Sequence, residues 1–361
     1  MRAIAYNLSM KTFFYVIIVA YNAGENLLDT YRSVCRQQYK NMLVLIQDGG
    51  STDGSLDRLR KKTASGAVIK EIAEDLAVTS ETDRQFFLPR TAIVSRKDKG
   101  IYDAMNKAVE RAVSDCDRRF GDRKPARYNE RGTQLFSRRI STACFAVFMN
   151  CGDLFYHNDV LKMADERIRN VQKRMAVQAN VSAADHVPGI CYGDTYDRQV
   201  AQLVSAAAVL DDFACYRSLP CHQSCFYNLK YLRQEKYDLS FRVRADYEHF
   251  LRLKYKCHAE TCYLNMVVAD YEGGGFSETQ ENRAASEKER RDIVEMYLPR
   301  ESLVKFDLYR KLSLQPLREK LAKNEKTAAL YHRIRSKLMG DDKKKKPTKV
   351  AERRTKGSAI R

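Results

Sequence analysis

The sequence predicts an α/β protein with a mostly parallel central sheet, helices on both of its faces, and a C-terminal helical extension. Three observations carry this. Short apolar or β-branched runs alternate with helical patterns through the first half of the chain, the signature of βα units. The helical pattern at 101–113 is amphipathic, with Ile101, Ala104, Met105, Ala108 and Ala112 on one face and Lys107, Glu110 and Arg111 on the other. Beyond 278 the chain becomes highly charged but keeps apolar residues at helical spacing, such as Ile293, Met296 and Tyr297, as helices packed outside a sheet do.

In chain order, residues 1–12 read as a short extension. Strands are expected at 13–20, 42–47, 67–72, 91–95 and 144–149, with helices at 26–38, 56–62 and 101–113 between them. The stretch 115–141 is rich in Arg, Asp, Gly and Asn and poor in apolar residues, so it reads as an inserted loop. Residues 161–186 read as helix, and 190–277 as a second mixed region. The expected domain spans 13–277, the helical extension 278–340, and a basic tail 341–361. That tail cannot bury a core and is expected to be disordered.

Composition limits the function classes. The chain of 361 residues carries a net charge of +18, and its tail holds six lysines and three arginines against three acids. A basic surface calls for an anionic partner: nucleic acid, anionic lipid or a phosphorylated substrate. The longest apolar run, 13–21, is about half the ~20 residues of a membrane-spanning helix. It lacks a signal peptide's basic flank and cleavage site, so the expectation is a cytoplasmic protein. The ten cysteines then read as reduced core residues. Cys221, His222 and Cys225, with Cys257, His258 and Cys262, have a spacing that also permits structural zinc.

Four segments carry candidate chemistry. Residues 47–55, Gln-Asp-Gly-Gly-Ser-Thr-Asp-Gly-Ser, put a carboxylate at a strand end, then glycines that let backbone approach a ligand, then residues able to cap a helix. The spacing is neither a dinucleotide fingerprint nor a phosphate-binding P-loop. Residues 98–107, Asp-Lys-Gly-Ile-Tyr-Asp-Ala-Met-Asn-Lys, cluster polar groups at a helix N-terminus, where amides favour anions. Asp153 ends the segment 148–153, Phe-Met-Asn-Cys-Gly-Asp; a carboxylate there can hold a divalent cation on phosphate oxygens. In 242–248, Arg-Val-Arg-Ala-Asp-Tyr-Glu, an Asp or Glu can take a proton from an acceptor hydroxyl. Each also has a plain reading as a turn or a helix cap.

Together, in this order, the segments resemble family 2 glycosyltransferases, the GT-A fold inverting enzymes, and most of all their bacterial polysaccharide-biosynthesis subgroup. The likeness runs over about 13–277. It includes Tyr21-Asn22, the segment Asp48 to Gly54, the intact Gly-Ile-Tyr-Asp-Ala-Met-Asn-Lys from Gly100 to Lys107, and Asn150 to Asp153. It continues with Tyr192 to Asp194, His222-Gln223, Ala245 to Tyr247 and Gly274 to Ser277.

The resemblance implies donor-binding roles for Tyr21, Asn22, Asp48, Asp53, Asp98, Gly100, Tyr102, Asp103, Asn106 and Asn150. It implies a loop or acceptor-side role for His222, Gln223, Gly274 and Gly275, with Asp246 as the catalytic base. Asp153 would hold Mn²⁺ or Mg²⁺ as the last Asp of the family's Asp-x-Asp, although Asn150-Cys151-Gly152-Asp153 lacks one of that element's carboxylates. The implied activity moves a sugar, with inversion, from a nucleotide-sugar (a UDP-sugar by family default) to a glycan or lipid-linked acceptor in cell-surface polysaccharide synthesis. The basic tail would touch an anionic membrane surface on its inner face, and no specific nucleic acid is expected. An inactive, membrane-associated scaffold and a basic nucleic-acid-binding protein are the alternative readings.

Overall fold

The computed structural model describes residues 11–65, 89–121, 127–128, 134–135, 143–179, 187–273 and 279–312. It divides into two compact units, Met1–Pro299 and Arg300–Arg361. The expected strand at 67–72, Gly274, Gly275 and the tail 341–361 lie outside the described residues.

The first unit opens with β1 (Phe13–Ala20), α1 (Asn26–Cys35), β2 (Met42–Asp48), α2 (Ser55–Ala64), β3 (Thr91–Ser95) and α3 (Ile101–Phe120). A separate two-stranded pair follows, β4 (Arg127–Tyr128) and β5 (Gln134–Leu135). Next come β6 (Cys144–Asn150), β7 (Leu154–Phe155), α4 (Val160–Ala179), β8 (Ile190–Asp197), β9 (Gln202–Val204) and α5 (Asp212–Arg217). A 3₁₀ turn at His222–Ser224 leads to β10 (Cys225–Asn228), α6 (Leu229–Leu232), α7 (Ala245–Tyr255), β11 (Thr261–Tyr271) and α8 (Gln280–Tyr297). In the second unit, α9 (Arg300–Leu312) is described.

The main sheet runs β3-β2-β1-β6-β10-β8-β11-β7, with β9 beside β8. Strands β3, β2, β1 and β6 are mutually parallel, as are β8 and β11. Only β10, β7 and β9 pair antiparallel with the main strands. Every residue of β1 and β2 is buried, as strands covered on both faces must be. On one face Phe14, Val16 and Ile18 pack with Leu27, Tyr31 and Val34 of α1 and Leu161 and Ile168 of α4. Each such fully buried side chain contributes about 2 kcal/mol. The other face takes α3, whose Ala104, Ala108, Ala112 and Cys116 are buried and which lies across β2, β1 and β6. This is the expected α/β arrangement, a mostly parallel sheet with helices on both faces.

Two local expectations change. The helix expected at 26–38 ends at Cys35, because Gln37 turns away to donate to the His157 carbonyl (2.8 Å) and accept from the Leu161 amide (3.0 Å). Residues 115–120, read as the start of an inserted loop, are the last turns of α3. Polar pairing makes the helix there. Buried Asp115 accepts from the Tyr15 hydroxyl of β1 (3.1 Å) and from Arg118 (2.6 Å) and Arg119 three and four residues on, spacings that face each other on a helix. Asp117 pairs with Arg233, and Phe120 packs edge-on against Phe13 at 5.1 Å. Among the described residues, no helix is long and apolar enough to cross a membrane.

Candidate active site

The sheet register sets Ala20 beside Asp48, Asp48 beside Ser95, and Val19 beside Asn150. The carboxyl ends of four parallel strands therefore form one row, where ligands of open α/β sheets bind.

Asp48 organises the middle of that row. It is fully buried; one oxygen accepts from the Gly50 and Ser51 amides (3.0 Å each) and the Ser95 hydroxyl (2.6 Å), the other from the Ser51 hydroxyl. Burial pushes its carboxyl up, but these bonds outweigh it and hold the group below the usual carboxylate value. Asp48 thus shapes the turn, and Gly49 beside it is buried. A Cβ added at Gly49 would sit 2.7 Å from Asp98 Oδ2 and 3.2 Å from the Tyr21 ring. Tyr21, 68% exposed, and Asp98 therefore pack against a bare glycine backbone at the strand ends.

The neighbouring turn is braced. Asn22, at φ +48°, accepts from the Thr52 amide (2.9 Å) and through its own amide donates to the Ser51 hydroxyl (2.8 Å). Asp53 accepts from the Gly24 amide (2.8 Å) and from Ser55 through amide and hydroxyl (3.0 and 2.6 Å). Those bonds, the Ser55 hydroxyl first, lower its carboxyl to about 2.

The start of α3 brings the third segment in. Gly100 caps it at φ +118°, a backbone that favours glycine, and its amide donates to Asp98 (2.9 Å). Asp103 accepts from the Lys99 amide (2.9 Å) and Lys107 (2.8 Å). The Tyr102 hydroxyl reaches the Val243 carbonyl (2.8 Å) and Asp246 Oδ1 (3.0 Å). Asp246 Oδ1 also accepts from the Tyr247 amide (2.9 Å). Among the described residues Oδ2 takes no hydrogen bond, so one carboxylate oxygen is fixed and the other is open. Asp246 is half-buried.

Asn106, assigned above to the donor, is buried and paired within the fold. Both of its amide atoms pair with the Tyr237 backbone (3.0 and 2.8 Å), tying α3 to the segment before α7. His222 is likewise not on an open acceptor side. Its Nε2 lies 2.9 Å from the Tyr237 hydroxyl and its ring 4.8 Å from Phe148. Burial lowers its pKa, so it is a neutral core histidine.

Asp153 is 3% exposed. Oδ1 accepts from the Glu272 amide (3.0 Å) and Oδ2 from Gln223 (2.8 Å). Burial raises its carboxyl to about 6, against the lowering pull of those two donors and Arg198. Asn150 Oδ1 is buried and carries no hydrogen bond. Among the described residues no three His, Cys, Asp or Glu side chains gather to hold a metal. A hard divalent cation asks for several accessible oxygens. Asp153, with both oxygens already engaged, and Asn150 do not fit a preformed Mn²⁺ or Mg²⁺ centre. Asp153 instead joins the β6–β7 turn, the 3₁₀ turn and the end of β11. The thiols of that region also serve locally: Cys221 donates to Gln223 (2.9 Å) and Cys225 to the Cys221 carbonyl (3.3 Å).

Sequence reasoning missed Glu272, Ser95 and Tyr237. Glu272 stood next to the glycine run, a usable signal. Ser95 and Tyr237 acquire their partners only through the fold.

The strand ends around Asp48 and the half-buried Asp246, tied to the start of α3 through Tyr102, are the groups placed for chemistry. The sequence profile described as Glycosyl transferase family 2 matches residues 15–116. A PGL/p-HBAD biosynthesis glycosyltransferase of Mycobacterium bovis is 26% identical over 271 residues, 74% of this chain and 79% of the relative; its counterpart in Mycobacterium tuberculosis gives the same values. Among solved structures, S. aureus TarS aligns at a TM-score of 0.47 and 14% identity, over 91% of this chain and 53% of TarS. The mannosyltransferase PcManGT from Pyrobaculum calidifontis, in complex with GDP-Man and Mn²⁺, aligns at 0.43 and 12% identity, over 92% and 82%. Residues 15–116 thus match the family 2 glycosyltransferase profile, and over most of its length the chain is similar to proteins named as glycosyltransferases.

Proposed function

We propose that the chain is an inverting transferase that moves a sugar from a nucleotide-sugar, a UDP-sugar, to a hydroxyl of a glycan or lipid-linked acceptor, with Asp246 as the base. The observation that carries this is the state of Asp246: Oδ1 is fixed by Tyr102 and the Tyr247 amide, while Oδ2 is open. The acceptor hydroxyl gives its proton to Oδ2. Its oxygen bonds the anomeric carbon as the bond from that carbon to the diphosphate breaks. The nucleoside diphosphate leaves with the electron pair, and a single displacement inverts the centre. Tyr21 and Asp98 seat the nucleoside over Gly49, and the amides at the start of α3 face the donor's ribose and sugar. The mycobacterial relatives, named for PGL/p-HBAD biosynthesis, support a place in polysaccharide or glycolipid biosynthesis. The net charge of +6 over 341–361 suits an anionic lipid surface, at about 1 kcal/mol per basic residue. Deleting 341–361 should weaken co-sedimentation with anionic vesicles, and unchanged binding would remove this role.

A panel of nucleotide sugars, assayed with and without Mn²⁺, tests the reaction. Asp246→Asn should abolish turnover while donor binding persists. Full activity in that variant overturns the base assignment.

A further inference from the structure

Asp246 is the second residue of α7, so its direction is set by the turn that starts the helix. That turn is held by α8. The Glu289 carboxylate accepts from three consecutive backbone amides: Arg242 (2.9 Å), Val243 (3.0 Å) and Arg244 (2.8 Å). One helical turn earlier on α8, the buried Ser286 takes the Arg244 guanidinium through its carbonyl (2.9 Å) and hydroxyl (2.8 Å). Three amides converging on one carboxylate form an anion nest. It lies at a helix N-terminus, whose amides lack intrahelical partners and whose dipole favours negative charge.

The same turn reaches the site by a second route. The Val243 carbonyl accepts from the Tyr102 hydroxyl (2.8 Å), which also contacts Asp246 Oδ1 (3.0 Å). The amide and the carbonyl of Val243 are thus held from opposite sides, by Glu289 and by Tyr102. We propose that Glu289 is a positioning residue for Asp246: it locks the 242–244 turn, so that Oδ2 meets the acceptor hydroxyl in line with the anomeric carbon. Helix α8 then belongs to the catalytic machinery. The inference rests on Asp246 being the base. A plain helix cap would support stability alone; a positioning residue also controls the rate once donor is bound.

The test uses the full chain, with Glu289→Ala, Glu289→Gln, Glu289→Asp and Asp246→Asn. UDP binding, donor KM, kcat and melting midpoint are measured for each. Displacement of a reacting group by about 1 Å costs on the order of 100-fold in rate. The expected result is a fall of that order in kcat for Glu289→Ala, with UDP binding and donor KM unchanged. Glu289→Asp, which keeps the carboxylate on a shorter stem, should recover part of the rate. If the alanine variant melts below the assay temperature, Glu289→Gln carries the comparison, since it keeps one acceptor oxygen and turns the other into a donor facing amides. Wild-type kcat in either variant, or a kcat loss matched by an equal loss of UDP binding, overturns the proposal. Turnover retained by Asp246→Asn sinks the base assignment instead, whatever the Glu289 variants do.

Discussion

At the scale of single residues, two polar groups make opposite demands. Asp153 is buried and ionises reluctantly, with its carboxyl raised from 3.8 to about 6. A carboxyl raised on folding binds its proton more tightly in the folded state, so stability falls as pH rises between the unfolded and folded values. Two units correspond to about 3 kcal/mol, lost between pH ~4 and ~6. Asp153→Asn cannot ionise, so wild-type stability minus variant stability should fall by about 3 kcal/mol across that window as pH rises, read from urea unfolding at each pH. A difference independent of pH would place the charge cost elsewhere. Tyr102 acts the other way, supplying a hydroxyl to Asp246 and Val243. Its loss in Tyr102→Phe removes bonds worth about 1 kcal/mol each. The expected outcome is a fall in kcat of about fivefold to tenfold with little change in fold, measured by steady-state kinetics beside circular dichroism.

At the scale of elements, the β6–β7 turn shows how a local backbone choice serves distant parts. Gly152 sits at φ +102°, and a Cβ there would lie 1.8 Å from Glu272 Oε2. The Glu272 side chain therefore rests on the glycine's bare face, where it accepts from Asn26 (3.3 Å), while its amide holds Asp153. Gly152→Ala should cost about 1–3 kcal/mol for the positive φ and push Glu272 off Asn26. A urea midpoint equal to wild type would refute this. The elements themselves divide by how local their causes are. β1 and β2 were legible because runs of apolar or β-branched residues need only burial to become strands, and both are buried throughout. The end of α3 was not, because Asp115 looks like a loop residue until Tyr15, 100 positions away, donates to it. Asn106 and His222 were read as facing ligand for the same reason. Their residue types and positions suit a site, but Tyr237 takes both, and no local pattern announces a backbone partner 131 residues on. Tyr102 and Asp246, read from separate segments, are brought into contact by the fold, a pairing that neither segment announces alone.

At the scale of the whole molecule, the division between units decides what the catalytic part must contain. The sequence placed the domain end at 277 and treated everything after it as an extension, since a charged amphipathic helix looks the same whether it is an appendage or a scaffold. The compact unit instead runs to Pro299 and includes α8, whose Ile293 and Val294 are fully buried and whose Glu289 and Ser286 hold the turn before Asp246. Arg290 adds a bond to the Tyr216 carbonyl. Two truncations separate the cases. A chain ending at 299 keeps every one of these bonds and should melt cooperatively and turn over donor. A chain ending at 277 exposes the α7 surface that α8 covers, and it removes the acceptor for three amides. The Val243 and Arg244 amides are part-buried, and leaving such donors unpaired costs at most about 1–3 kcal/mol each, a sizeable share of the ~5–15 kcal/mol that holds a domain folded. The shorter chain should therefore aggregate or melt well below the longer one, by differential scanning fluorimetry, and lose turnover. Equal melting and equal turnover in the two truncations would mean that α8 is an appendage after all.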